Sequence, residues 1–231
     1  MKVAIMGYGT IGSGVVEIIE KNNKILEKNC REKVEVAKVL DLRDFPGSPI
    51  ENKLVRDYMD IVNDPEIKCV VETMGGVEPA FTFVKAMLEA GKHVCTSNKA
   101  LVADKGAELI QIAKDKNVNF FFEASVGGGI PIIRPLINAL AQEEILSITG
   151  ILNGTTNYMM TKMFYEGADY DTVLKEAQAK GYAERNPEAD VEGHDACRKI
   201  AILSSIAYGK FVDYEKVYTE GITKISPADM L

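Results

Sequence analysis

The chain has 231 residues, 46% hydrophobic and 26% charged, which suits one large globular domain or two modest ones. Its net charge of −7 comes from 27 basic and 34 acidic residues; a nucleic-acid binder favours a basic stripe, and none is visible. No apolar run approaches the roughly 18 residues of a membrane span, and MKVAIMGYG reaches its glycines too early for a signal peptide, so no membrane partner and a cytoplasmic location are expected.

Cys30, Cys69, Cys95 and Cys197 form no CxxC pair and lie apart from both histidines, which argues against a zinc site. Cys69 and Cys95 fall inside apolar runs and read as small core residues.

Residues 2–6 (KVAIM) predict a first strand. GYGTIGSG follows, and then a helical pattern with Val15, Ile18, Ile19 and Leu26 as buried positions. Strand, GxGxxG and helix in this order point to a dinucleotide site. Gly7 permits the turn, Gly9 lets the backbone approach a pyrophosphate, and Gly12 lets the helix pack close to the strand. The first helical residues, Thr10 and Ile11, then present backbone N–H groups to the phosphates.

Residues 34–40 (VEVAKVL) predict a second strand ending at Asp41. An acid there can accept from an adenosine ribose and favours NAD; Arg43 could face a 2′-phosphate and favours NADP. Both also fit a plain charged loop. Residues 47–66 read as loop plus a short helix. Strands at 68–72 and 92–96 flank a helix over 78–90 stopped by Gly91, and a helix over 104–116 precedes a strand at 118–122. Five strands alternating with helices predict a doubly wound parallel sheet, a Rossmann domain over 1–130. Ligands bind at the carboxyl ends of such strands. Thr73, Met74 and Gly75, then Ser97 and Lys99, then Glu123 fall there. Lys99 at a helix start opposes the helix dipole, a mismatch that an anionic ligand would offset; an exposed lysine is the plainer alternative.

EASVGGGIPIIRPL (123–136) predicts the joint between domains. Its carbonyls, with Glu123, could ligate a hard cation, or it could serve only as a glycine-rich linker. Beyond it the rhythm changes to a smaller α+β domain over 131–231. Strands are expected at 145–153 and 217–225. A polar turn over 153–159 enters a helix, and a helix over 171–180 is stopped by Gly181. GYAERNPEADVEGHDACRK (181–199) carries five carboxylates and leads into an apolar helix reaching about Tyr208. Asp195 and Lys199 share one helical face with Ile202 and Ile206. A polar pair heading a buried stripe can serve a site, or can be a solvated ion pair worth roughly 0.3–0.5 kcal/mol. Ser226, Pro227 and Asp229 have the form of a helix start, which leads us to expect a chain cut short within its second domain.

Taken together, GYGTIGSG, VVETMGG, TSNKALV, FEASVGGGIPII, LNGTTNYM and GYAERNPEADVEGHDACRKIAIL resemble the homoserine dehydrogenases along the whole chain. The last motif is the most specific. That family reduces L-aspartate 4-semialdehyde to L-homoserine with NADPH or NADH, on the route to threonine and methionine, and its catalytic domain dimerises. The resemblance implies Lys99 and Lys199 at the reacting oxygen with Asp195 beside Lys199. It implies Glu184 at the substrate ammonium, with Asp190, Tyr182 and Thr155 in an amino-acid substrate pocket. It also implies a sodium-like ion at Glu123 and the carbonyls of Val126, Gly128 and Ile130. Members normally continue beyond Leu231, so a catalytically weak nucleotide-binding or dimerisation module is the alternative to an active enzyme.

Overall fold

The computed structural model describes residues 1–230. The chain folds as two compact units, Met1–Arg134 and Pro135–Leu231.

The first unit is built on β1 (Lys2–Met6), β2 (Glu35–Leu40), β3 (Leu54–Val55), β4 (Ile67–Glu72), β5 (His93–Thr96) and β6 (Phe120–Phe121). All pairings are parallel, in the order β3-β2-β1-β4-β5-β6. Strand order reverses between β1 and β4, which opens a crevice at their carboxyl ends. The sheet is buried on both faces, so its strands read as continuous apolar runs. Val3 and Ile5 face one core with Val16 and Ile19 of α1 (Thr10–Lys21). Ala4 and Met6 face the other, with Val84, Met87 and Leu88 of α4 (Ala80–Glu89) and Leu101 and Leu109 of α5 (Lys99–Asp115). Each such large side chain contributes roughly 1.5–3 kcal/mol on burial.

Several expectations shift. The helix behind the glycines breaks at Asn22 and resumes as α2 (Asn23–Cys30). Its buried stripe runs through Val16, whereas Ile18 is exposed. Between β2 and β4 the chain makes the additional short strand β3, followed by α3 (Met59–Val62). The helix expected from 104 begins at Lys99 because Asn98 caps it, accepting from the Leu101 N–H. Gly91, at φ +77°, closes the turn after α4 as expected.

The first unit ends at Arg134. Glu123, just past β6, accepts the backbone N–H groups of Ile132 (2.6 Å), Ile133 (2.7 Å) and Arg134 (2.8 Å). This carboxylate ties the glycine loop back to the sheet domain and caps α6 (Ile133–Asn138).

In the second unit, α7 (Gly154–Glu166), α8 (Tyr170–Ala179), α9 (Glu188–Val191) and α10 (His194–Tyr208) surround a core of Met159, Met163, Val173, Ala177, Ala183 and Val191. Neither 145–153 nor 217–225 is a strand; among its described residues this unit has helices and irregular segments only. Both stretches have strand-like alternation but no ladder partner. Some of their apolar side chains stand in solvent, with Leu146 82%, Ile151 77% and Tyr218 86% exposed, while Ile222 packs against the core. The helix start near the end is present as a 3-10 turn over Pro227–Met230, where Asp229 accepts from the Ser226 N–H and hydroxyl. No helix among the described residues is long and apolar enough to cross a membrane.

Candidate active site: a nucleotide crevice and a buried acid–lysine cluster

In the first unit, a cavity of about 450 Å³ lies at the carboxyl ends of β1, β2 and β4, lined by Gly7, Gly9, Asp41, Arg43, Thr73 and Met74, with Tyr8 and Arg56 among its other walls. Three features fit it to a dinucleotide. First, α1 begins at Thr10, Ile11 and Gly12 with no side-chain cap and no acid in its first turn, so its positive end faces a ligand unopposed. Second, a methyl group at Gly9 would meet nothing within 4 Å, so the backbone there is open to close approach. Third, a methyl group at Gly12 would overlap the Gly7 carbonyl oxygen, which shows how tightly helix and turn are packed. Gly7 itself has φ +94°, and Thr73 Oγ1 donates to its carbonyl at 2.9 Å.

Asp41 and Arg43 form one unit rather than rival contacts. Arg43 Nε (3.0 Å) and Nη2 (2.9 Å) donate to the two Asp41 oxygens, and Tyr8 N–H donates to Oδ2 at 2.8 Å. The guanidinium, with these backbone donors, holds the Asp41 carboxyl well below the usual carboxylate range although burial opposes it. Arg56 donates to the Asp41 and Arg43 carbonyls and pairs with Asp44. Two guanidinium groups therefore stand at the end of β2, each paired with a carboxylate, Asp41 or Asp44. Arg56 was not legible in the sequence because it reaches this corner from 15 residues away.

The loop at Thr73–Gly75 and the loop at Ser97–Lys99 share an anchor that sequence reading missed. Glu72 is fully buried. It accepts from Met74 N–H (2.7 Å), Gly75 N–H (3.4 Å), the Thr96 hydroxyl and Asn98 Nδ2 (3.5 Å), while Ser97 N–H donates to its carbonyl. Lys99 follows directly, in the first turn of α5. Both Glu123 oxygens already accept amide groups. Burial pushes that carboxyl up, but the three N–H donors and Arg134 hold it below its ordinary value. A cation at the Val126, Gly128 and Ile130 carbonyls would have to share Glu123 with those amides.

In the second unit the acids converge at the head of α10. Asp195 (2% exposed) pairs with Lys199 (16% exposed) at 2.8 Å. Lys199 also donates to the Leu152 carbonyl at 2.9 Å. Asn153 Nδ2 donates to Asp195 Oδ2 (3.0 Å) and to Asp190 Oδ1 (2.7 Å). This is not a solvated surface pair: the carboxylate is buried, and its Oδ2 accepts from the Asn153 amide as well as from Lys199, the added hydrogen bonding a buried ion pair needs. Two of the three Lys199 N–H groups are engaged, which leaves one for a ligand oxygen. Thr155 Oγ1 donates to the Tyr182 carbonyl at 2.6 Å, and the Tyr182 ring meets Tyr158 edge-on. Glu184 is exposed on the loop between α8 and α9, its carbonyl accepting from Gln178.

The family profile "Homoserine dehydrogenase, NAD binding domain" matches residues 7–123, and the profile "Homoserine dehydrogenase" matches residues 131–231. The chain belongs to the homoserine dehydrogenase family. The homoserine dehydrogenase of Synechocystis sp. is 45% identical over the whole chain. A homoserine dehydrogenase structure from Thiobacillus denitrificans aligns with a TM-score of 0.91 at 40% identity over 99% of the chain. A hyperthermophilic archaeal homoserine dehydrogenase in complex with NADPH aligns at 0.84 and 28% identity over 98% of the chain. The chain covers 75% of the archaeal protein but 53% and 54% of the other two; it spans about half the length of the curated relatives it matches. As a member of an oxidoreductase family, it carries that family's NAD-binding fold.

Proposed function

We propose that this protein interconverts L-homoserine and L-aspartate 4-semialdehyde with a nicotinamide nucleotide, in the cytoplasm and as a homodimer, on the route to threonine and methionine. The observation that carries the reading is the buried cluster of Asp195, Asn153 and Lys199, with one lysine N–H still to give. The bound nucleotide supplies or accepts the hydride. Reduction of an aldehyde builds negative charge on its oxygen. Lys199 stabilises that charge and donates the proton; in the reverse direction its amine takes the proton from the alcohol. Such general acid–base help is worth about 10²–10⁴-fold. Asp195 keeps the amine oriented. Asp190 and Glu184 offer carboxylates to the substrate ammonium, and Thr155 and Tyr182 form the neighbouring wall.

Arg43 and Arg56, which line the crevice at the end of β2, support a preference for NADP, since a guanidinium can exchange its carboxylate partner, Asp41 or Asp44, for a 2′-phosphate. The deciding experiment is homoserine oxidation followed by absorbance of the reduced nucleotide, with NADP and NAD in parallel. Turnover with homoserine, faster with NADP, is expected. No reduction of either nucleotide would defeat the reading; equal rates would defeat only the cofactor preference.

A further inference from the structure

Asn153 precedes α7 and is buried. Its Oδ1 accepts from the Thr156 N–H (2.8 Å) and hydroxyl (3.0 Å), the contact of a helix cap. That cap fixes which way the amide points, because only the oxygen can accept a backbone N–H. Nδ2 must then face the acids, and it spans Asp190 on α9 and Asp195 on α10. One neutral amide therefore stands between two carboxylates, and it shares the Oδ2 of the second with Lys199. Without a donor between them, like charges this close repel.

We propose that Asn153 is a positioning residue of the reaction: it sets the spacing between Asp190, on the substrate side, and the Asp195–Lys199 pair that moves the proton. The inference rests on the dehydrogenase reading above and goes beyond it, since neither acid is held in place by its own helix alone. Capping and spacing can be separated. Serine caps a helix as well as asparagine does but cannot reach two acids with donors.

Asn153→Ser is expected to keep the α7 cap and the nucleotide Kd and to melt a few degrees lower for the donors lost to two acids, while kcat for homoserine oxidation falls about 100-fold, the scale of a misplacement near 1 Å. Asn153→Asp also keeps a cap but adds a carboxyl beside Asp190, Asp195 and Lys199. Its activity should survive only on the acid side of the pH profile, where the introduced group is protonated and can donate. Labelling of Lys199 by an amine-reactive ester, quantified by mass spectrometry against Lys162, gives a readout independent of turnover. In Asn153→Ser the repelled Asp195 slackens its hold, so Lys199 should label several-fold faster. Unchanged or slower Lys199 labelling in that variant overturns the inference whatever the turnover. Faster labelling with a wild-type protein that does not oxidise homoserine keeps the clamp and defeats only the dehydrogenase reading.

Discussion

Gly12→Ala tests the nucleotide crevice most directly. The added methyl would overlap the Gly7 carbonyl oxygen and come within 2.9 Å of Thr73 Oγ1 and 3.0 Å of the Gly7 carbonyl carbon. Two of those atoms are backbone and cannot rotate aside, so α1 must move away from the turn. Overpacking of this kind costs about 1–3 kcal/mol. At about 2–4 °C per kcal/mol for a chain of this size, the melting temperature should fall by a few degrees to roughly 10 °C. Gly9→Ala is the contrast. Its methyl meets nothing within 4 Å, and the backbone there, at φ −85° and ψ −161°, is open to any residue. That variant should melt like wild type yet bind nucleotide at least tenfold more weakly, because the methyl occupies the approach to the phosphates. Thermal unfolding and nucleotide titration of the two variants side by side decide the matter. If Gly12→Ala melts with wild type, or if Gly9→Ala destabilises as much as Gly12→Ala, the packing argument fails.

The remaining predictions concern charge. Lys199→Arg keeps the buried cation for Asp195, so stability should hold. Guanidinium does not give up its proton at working pH, so kcat should drop about 10²–10⁴-fold; steady-state kinetics with wild-type-like kcat would remove Lys199 from proton transfer. Arg43→Ala should weaken NADP by roughly 10–100-fold, the worth of one charged hydrogen bond, and leave NAD nearly untouched; an equal loss for both nucleotides would show that Arg43 only braces the loop. Glu176 is held down to about 2 by hydrogen bonds from Lys180 and Tyr158. A carboxylate depressed in the fold contributes stability above its unfolded value of 4.5, and that contribution disappears as pH falls from there toward 2. Glu176→Gln should therefore flatten the acid limb of a melting-temperature profile, and an unaltered limb would contradict the assignment.

The sheet domain was legible because local signals and tertiary structure agree there. Glycines at 7, 9 and 12 follow an apolar run, and Gly91 stops the helix read over 78–90. The two-residue strand Leu54–Val55 is too short to have a period at all. Residues 145–153 failed for the opposite reason: alternation describes a face, whereas a strand exists only where a neighbour accepts its hydrogen bonds. In the second unit the spacing of Asp195 and Lys199 gave the pair, since one helix turn is a local rule. Asn153 was read as part of a polar turn because its partners lie 37 and 42 residues on. Glu72 looked like the end of a strand; only the sheet register, which sets it beside Thr96, turns it into an anchor.

That anchor makes the two loops mechanically one. Met74 and Gly75 hang from the same carboxylate as Thr96 and Asn98. Pulling either loop away alone would strand a buried acid with donors missing, at about 1–3 kcal/mol for each unmet bond. A displacement of the Thr73–Gly75 loop is thus passed to the turn that carries Lys99. The two walls yield together or not at all.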